Sequence, residues 1–184
     1  MLKNTPNSFG SIAKTFHWVL ALGIVGMLTV GFIMADMAPS PSKWTLYGLH
    51  KSTGVLILLL VILRFTWRLL NPVPQLPSSL KPWHHRLAKL SPLALYTLML
   101  MMPLSGFILS QAGGHPISVY NLFTVPALFP KNPDLSQIAA RIHAYGAYIF
   151  IGVLALHVSA AFYHHFILKT NVLKKMLPNW FGHP

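Results

Sequence analysis

Four long apolar stretches alternate with short polar or proline-rich segments along the chain. Residues 15–35, 90–130 and 142–168 contain no Asp, Glu, Lys or Arg, and a helix needs about 20 mostly apolar residues to cross a bilayer. We therefore expect an all-α integral membrane protein, a four-helix bundle that forms one domain over residues 1–184. The predicted helices cover about residues 11–35, 43–70, 84–111 and 135–169.

Proline and glycine mark the ends of the second and third predicted helices. Asn71-Pro72-Val73-Pro74 and Pro77 predict a non-helical connector, because proline lacks the N–H group that continues a helix. Gly113-Gly114 ends the third helix. Residues 112–134 are then a longer loop with room for a short interfacial helix.

The composition favours a membrane protein over a soluble one. Of the 184 residues, 54% are hydrophobic and 9% are charged, whereas soluble domains carry about 25% charged residues. The net charge of +12 would suggest nucleic acid for a soluble protein, but here the basic residues flank apolar spans, so no nucleic-acid partner is expected. The absence of cysteine excludes disulfides, iron–sulfur clusters, thiol catalysis and covalently attached c-type haem.

The distribution of lysine and arginine predicts the orientation of the bundle. Four of these residues, together with both aspartates, fall on one side: Lys43, Lys51, Lys131 and Arg141. Ten fall on the other side: Lys3, Lys14, Arg64, Arg68, Lys81, Arg86, Lys89, Lys169, Lys174 and Lys175. Because cytoplasmic segments are enriched in Lys and Arg, ten against four predicts that both termini are cytoplasmic.

Four histidines fall within the apolar stretches, where polar groups are tolerated only when they are satisfied. The spacing between His143 and His157 is close to four helical turns, so their side chains share one face and lie about 21 Å apart along it. With the predicted orientation, His17 and His157 lie at the cytoplasmic level, and His50 and His143 lie at the outer level. We therefore predict two pairs, His17 with His157 and His50 with His143.

Paired imidazoles at two depths indicate a specific chemistry. Two imidazoles as axial ligands leave a haem iron no open position for a substrate, so such a haem carries electrons. The pairs predict two haem b groups per chain and an electron path across the membrane. The alternative is that each histidine makes a helix–helix hydrogen bond. Small residues near the histidines would let a flat macrocycle approach the helices: Gly54, Gly146, Ala160 and Ala161.

Several basic residues have two candidate roles each. Arg64 follows His50 by about four helical turns and is either the partner of a haem propionate or a basic membrane anchor, whereas Arg68 fits the anchor role. The four basic residues of the outer side would attract an anion such as superoxide. The alternatives are that Lys51 or Arg141 pairs with a propionate, or that these residues are simply solvated.

Additional histidines cluster near the cytoplasmic interface. His164 and His165 follow His157 by about two turns, where they would contact a quinone and relay its protons, or would lie near lipid headgroups. His84 and His85, at the start of the third helix, are expected to be interfacial.

Several segments resemble the bacterial four-helix cytochrome b561 family, in an order and spacing that cover nearly the whole chain. The chain departs from the family at Pro92, where many relatives have a histidine before a Leu-x-x-Tyr segment. The matching segments are Phe16-His17-Trp18, Leu49-His50-Lys51-Ser52-Thr53-Gly54, Arg64 to Arg68 followed by Asn71-Pro72-Val73-Pro74, Ile142-His143, Leu156-His157, His164-His165-Phe166 and Asn171-Val172-Leu173-Lys174-Lys175-Met176.

The resemblance implies two haem b groups per subunit in a bacterial inner membrane, with electron exchange to quinone. It also implies that some relatives oxidise superoxide at the outer side and reduce ubiquinone. The ligand roles that it carries to this chain fall on His17, His50, His143 and His157.

The leading hypothesis is a membrane di-haem electron-transfer protein. Electrons would enter at the outer pair, with superoxide as a candidate donor, and would reduce ubiquinone near His164 and His165. No acid, base or nucleophile arrangement indicates bond-breaking catalysis, so no catalytic residue is assigned, and any enzyme activity is that of an oxidoreductase. The alternatives are a cytochrome anchor for a periplasmic partner protein and a small transporter with a histidine proton relay. A homodimer in the lipid bilayer is compatible with the bundle.

Overall fold

The computed structural model describes residues 1–76 and 80–177, so Pro77 of the predicted connector lies outside the described residues. Four long helices dominate this part of the chain, and a small hairpin and two short helical segments accompany them. In chain order the elements are α1 (Ser11–Asp36), α2 (Pro41–Leu69), α3 (Pro82–Ala112), β1 (Ile117–Val119), β2 (Phe123–Val125), α4 (Pro133–Phe162), a π-helical turn (Tyr163–Ile167) and α5 (Val172–Met176).

The four long helices are each long and apolar enough to span a membrane. This confirms the prediction of a mostly helical, multi-pass membrane protein. Three of the four predicted starts are two residues late, because proline occupies the first helical position of α2, α3 and α4. Proline is favoured there, since its missing N–H group would have no partner in the first turn. Ser40 and Asn132 cap α2 and α4 by accepting hydrogen bonds from the backbone N–H groups of Lys43 and Leu135.

The end of the fourth helix differs from the prediction. A regular helix was expected to reach Lys169, but α4 ends at Phe162 and continues as the π-helical turn Tyr163–Ile167. Lys169 has a φ of 51°, a left-handed conformation that ends the helical path. The extra residue of a π-helical turn changes which side chains face the bundle, and such turns are frequent at functional sites.

A β-hairpin occupies the loop that had room for a short interfacial helix, so no helix forms there, and the rest of the bundle is helical as predicted. β1 pairs antiparallel with β2, with Ile117 opposite Val125 and Val119 opposite Phe123. The turn has positive φ angles at Tyr120 and Asn121. Ile117 and Val119 are buried, so the hairpin packs against the bundle through β1.

The two ends of the bundle are covered differently. At the end that carries Ser11 and α5, here called the terminal end, the indole N–H of Trp18 donates to the carbonyl of Met176 at 3.0 Å. The first residues of the chain also pair with the connector, since Gln75 N–H donates to the Pro6 carbonyl at 2.9 Å. The hairpin covers the opposite end, here called the hairpin end.

The helices pack in chain order, with extensive contact between α1 and α2, between α2 and α3, and between α3 and α4. One apolar core runs through all four helices, and α4 joins it through Phe150, which is 3% exposed. At mid-height each helix contributes one buried side chain to what we call the central apolar layer: Ile24, Ile57, Leu98 and Phe150.

Candidate functional site

The structure brings the four predicted histidines together in two pairs, as the depth argument requires. The ring centres of His17 and His157 are 6.3 Å apart, and those of His50 and His143 are 6.2 Å apart. All four rings are half-buried between helices. The His17 pair lies toward the terminal end and the His50 pair toward the hairpin end. In each case the central apolar layer is about two helical turns away along the helix.

The Nδ1 atom of each α4 histidine faces a serine of α3. The Ser105 hydroxyl is 3.1 Å from Nδ1 of His143, and the Ser91 hydroxyl is 3.3 Å from Nδ1 of His157. His143 Nδ1 is also 2.9 Å from the carbonyl oxygen of Met102. A carbonyl only accepts hydrogen bonds, so Nδ1 of His143 carries the hydrogen and Nε2 keeps its lone pair. Nε2 of this ring is therefore able to bind a metal.

His50 differs from the α4 histidines, because its Nδ1 atom is buried and has no hydrogen-bond partner among the described residues. The three residues after it attach the hairpin to α2 instead. Lys51 Nζ donates to the Pro116 carbonyl at 2.9 Å, and the Ser52 hydroxyl donates to the Ser118 carbonyl at 2.7 Å. Thr53 shares a 2.8 Å hydrogen bond with the Tyr120 hydroxyl, so this segment couples the histidine to the hairpin.

His17 contacts an arginine rather than a serine. The Arg64 guanidinium is 3.0 Å from Nδ1 of His17, and its central carbon is 5.7 Å from the ring centre of Tyr96. Arg68 lies 5.8 Å from the same ring centre. Two cations therefore share one buried tyrosine beside the His17 pair. The structure places Arg64 at the level of this pair, which agrees with its position about four helical turns after His50.

Glycines allow the helices to approach two of the rings. A Cβ added at Gly106 would lie 3.0 Å from Cε1 of His143, and one at Gly31 would lie 3.4 Å from Cε1 of His50. The glycines singled out from the sequence lie elsewhere. A Cβ at Gly54 or Gly146 would meet methionine side chains, not histidine rings. In the described structure these two glycines permit helix packing, and the role of the four small residues beside a macrocycle stays a prediction.

The predicted quinone-side histidines lie at the terminal end, in the π-helical turn. His164 faces His84 of α3, with ring centres 5.0 Å apart, whereas His165 lies against Phe166 at 4.7 Å. His84 lies in the first turn of α3, where it is 6% exposed and stacked on Trp83 at 3.6 Å, and its interfacial depth stays a prediction. His84 therefore belongs to the same cluster as His164.

The basic residues of the hairpin end are spread around its rim. Lys43 donates to the Met37 carbonyl at 2.6 Å, Lys51 is held by Pro116, and Arg141 is exposed. Both aspartates are also exposed at this end, at Asp36 and Asp134.

Sequence reasoning missed Ser91, Ser105, Gly31 and Gly106. One signal for the serines was present, because the sequence spacing between Ser91 and Ser105 equals the spacing between His143 and His157. In two antiparallel helices, equal spacings allow each serine to face one of the two histidines. The glycines gave no such signal, because glycine is frequent in membrane helices.

A membrane-spanning helical bundle with paired imidazoles at two depths defines a class of protein, the helical membrane cytochromes. Residues 8–179 match the family described as prokaryotic cytochrome b561, and the chain belongs to this family. It is thus a membrane cytochrome whose family binds haem b.

Individual relatives support the same assignment. The chain is 34% identical to cytochrome b561 homolog 2 of Escherichia coli (strain K12), over 95% of this chain and 93% of the relative. It is 28% identical to the probable superoxide oxidase CybB of Yersinia pestis, over 88% of this chain and 91% of the relative. It is 26% identical to cytochrome b561 homolog 1 of E. coli (strain K12), over 94% and 98%.

Proposed function

We propose that the protein holds two haem b groups, one at each histidine pair, and transfers electrons between the two faces of a bacterial inner membrane. The observation that carries this proposal is the separation of the rings, 6.3 Å for His17 with His157 and 6.2 Å for His50 with His143. Haem iron, when bound, supplies reversible one-electron chemistry. The protein contributes axial ligands, orientation and local charge.

The ring separations fit axial ligation of one metal by two imidazoles. An imidazole ring with bonds of about 1.33 Å has its centre about 1.1 Å from each nitrogen. A metal–imidazole bond is about 2.0–2.1 Å long. Two imidazoles that face one metal through nitrogen therefore have ring centres roughly 6.2–6.5 Å apart. Both pairs show this separation, and both lie at the depths that the sequence predicts, so the two pairs together support the proposal.

The hydrogen bonds agree with this role at His143, where Nδ1 donates to Met102 and Nε2 remains free. At His17 the contact with Arg64 has a further consequence. A guanidinium only donates, so Nδ1 accepts in this contact and a neutral ring carries its hydrogen on Nε2. Ligation through Nε2 requires the hydrogen on Nδ1 instead. We infer that Arg64 then turns to a haem propionate, because a planar guanidinium can donate two hydrogen bonds to one carboxylate.

The terminal end is proposed as the quinone side. The cluster of His84 and His164 lies there, and His164 and His165 are about two helical turns beyond His157. Imidazoles can donate the two protons that a quinone takes up with two electrons. The ten Lys and Arg residues counted on this side support its placement in the cytoplasm, with both chain termini.

The hairpin end is proposed as the electron entry side, with superoxide as the donor. The relative named probable superoxide oxidase CybB motivates this substrate, and the basic rim of the hairpin end would attract an anion. Two superoxide anions each give up one electron and leave as dioxygen. One quinone takes up both electrons and two protons and becomes quinol, so the reaction balances.

The first experiment is a reduced-minus-oxidised optical spectrum of the purified protein in detergent, with haem quantified per polypeptide. Two low-spin b-type haems per chain are expected. One haem would mean that one of the pairs is structural, and none after expression with adequate haem would overturn the proposal.

A second experiment tests the substrate. The oxidised protein is exposed to a steady source of superoxide, with superoxide dismutase as the control, and the appearance of the reduced spectrum is followed. Reduction that the dismutase abolishes is expected. A protein that binds two haems but ignores superoxide would instead favour the alternative, a cytochrome anchor that receives electrons from a periplasmic partner protein.

A further inference from the structure

Helix α3 supplies no histidine to either pair, yet it contacts one histidine of each. We propose that Ser91 and Ser105 are positioning residues, which hold the Nδ1 edges of His157 and His143 and thereby set the orientation and donor strength of one axial ligand at each level. The inference rests on the proposed function, because it assumes that these histidines bind haem iron through Nε2.

The first argument is the register of two antiparallel helices. The sequence spacing between Ser91 and Ser105 on α3 is the same as the spacing between the two histidines of α4. Because the helices run in opposite directions, the first serine meets the second histidine and the second serine meets the first. Both contacts are formed, at 3.3 Å and 3.1 Å. The packing of α3 against α4 therefore provides one serine contact to the α4 histidine at each level.

The second argument comes from the direction of the hydrogen bonds at the hairpin end. The Ser105 hydroxyl donates to the Met102 carbonyl at 2.9 Å, so its hydrogen is engaged and its lone pairs face His143. His143 Nδ1–H thus lies between two acceptors, the serine oxygen and the carbonyl oxygen. Ser105 is 5% exposed, so water does not compete for this contact in the bundle. The arrangement fixes the tautomer of His143.

The arrangement at the terminal end is simpler. The Ser91 hydroxyl is the hydrogen-bond partner of Nδ1 of His157, and no carbonyl of the described residues assists it there. Loss of this hydroxyl would leave Nδ1 without an acceptor, whereas His143 would keep Met102 after loss of Ser105. The two serines should therefore have unequal effects, the larger at Ser91.

The third argument is the contrast with the opposite ligands. Nδ1 of His50 has no partner in the described structure, and Nδ1 of His17 faces a cation. Each pair thus combines one histidine that α3 orients and one that it does not. A hydrogen bond from Nδ1–H to an acceptor makes an imidazole a stronger ligand, which stabilises ferric over ferrous iron. The serines should therefore lower the potential of each haem.

The test is a potentiometric titration of the haem spectrum in purified Ser91→Ala, Ser105→Ala and Thr97→Ala. Thr97 is the matched control, because it lies on α3 between the two serines but is exposed on the outside of the bundle. Ser91→Ala should raise the midpoint potential of the haem held by His157. A tenfold change in the relative affinity for ferric and ferrous iron corresponds to about 59 mV. Ser105→Ala should raise the other potential by less, and Thr97→Ala should change neither.

A second variant of Ser91 separates the loss of the hydroxyl from a general effect on folding. Ser91→Thr keeps a hydroxyl at the same position and should restore the original potential. Two potentials that stay unchanged in both serine variants, in a protein that still binds two haems, would overturn this inference but not the proposed function. An equal shift in Thr97→Ala would also overturn it, since the effect would then be a general one on α3. If the unaltered protein binds no haem, both proposals are overturned.

Discussion

The guanidinium of Arg64 lies 3.0 Å from Nδ1 of His17, although the two residues are 47 positions apart in the chain. The contact joins α2 to α1 at the level of the terminal-end histidine pair. It also places the positive charge of Arg64 close to a proposed haem site, where the charge stays whether Arg64 contacts His17 or a propionate. Oxidation of a haem at this level adds a positive charge, which Arg64 opposes.

Replacement of Arg64 by methionine should lower the midpoint potential of one haem. A unit charge within about 10 Å is worth on the order of 1–2 kcal/mol at an effective dielectric of about 20, so a decrease of tens of millivolts is expected. Potentiometric titration measures it. Arg68→Met is the control, since Arg68 contacts the same tyrosine but has no hydrogen bond to His17. Equal shifts of the midpoint potential in the two variants would mean that Arg64 has no special role.

Alanine variants of the four histidines test the pairing. His17→Ala and His157→Ala should each lose the same haem, and His50→Ala and His143→Ala should each lose the other, because one imidazole alone leaves the iron with an open axial position. Haem per polypeptide should fall from two to about one in each case. His85→Ala, outside both pairs, should keep both haems. Full haem content in His17→Ala would refute the pairing.

A methyl group at Gly106 should disturb one haem site. Its Cβ would lie 3.0 Å from Cε1 and 3.3 Å from Nδ1 of His143, closer than a relaxed contact allows. Gly106→Ala should therefore reduce the occupancy of the hairpin-end haem. Haem content and the optical spectrum report it. Gly152→Ala on α4 is the control, because nothing lies within 4 Å of its added Cβ, and it should be neutral or stabilise the helix by up to about 1 kcal/mol.

Removal of the Phe150 ring should destabilise the whole bundle. Phe150 is 3% exposed and joins α4 to the common core, and Phe→Ala changes in cores cost about 3–5 kcal/mol. Thermal unfolding in detergent should show a clearly lower transition for Phe150→Ala. Phe162→Ala is the comparison, since Phe162 is 51% exposed on the same helix. Similar transitions for both variants would mean that α4 is not held through this core.

His164→Ala should slow quinone reduction without changing haem content. The imidazole faces His84 at 5.0 Å in the terminal-end cluster, and a positioned proton donor contributes about 100-fold or more to a reaction that it serves. The rate at which a ubiquinone analogue oxidises the pre-reduced protein is the measurement. His115→Ala, exposed at the hairpin end, should have the normal rate. A normal rate in His164→Ala would mean that quinone is reduced at another site.

Much of the fold and the histidine pairing could be predicted from the sequence, because both follow from periodicity. Apolar length gives the helices, and a spacing close to four whole helical turns places His143 and His157 on one face whatever the surroundings. The partners of those histidines could not be predicted as firmly. Whether Ser91 faces His157 depends on how α3 and α4 are aligned, which is a property of packing and not of either helix alone.

The hairpin and the π-helical turn could not be predicted from the sequence, for a different reason. Short strands such as Ile117–Val119 carry too few residues for a reliable alternation. The π-helical turn begins inside an uncharged apolar run, where nothing in the composition marks a change of helix type. In both places contacts with the rest of the bundle decide the backbone.

The central apolar layer has a consequence for energy conversion. Ile24, Ile57, Leu98 and Phe150 carry no titratable group, so under the proposed function electrons would cross this layer without protons. The two histidine levels are separated by about 21 Å, a large part of a hydrocarbon core of about 30 Å. Movement of one charge across a whole membrane at about 100 mV is worth about 2.3 kcal/mol. Electron flow toward the terminal end would therefore be electrogenic, and each turnover would help to charge the membrane.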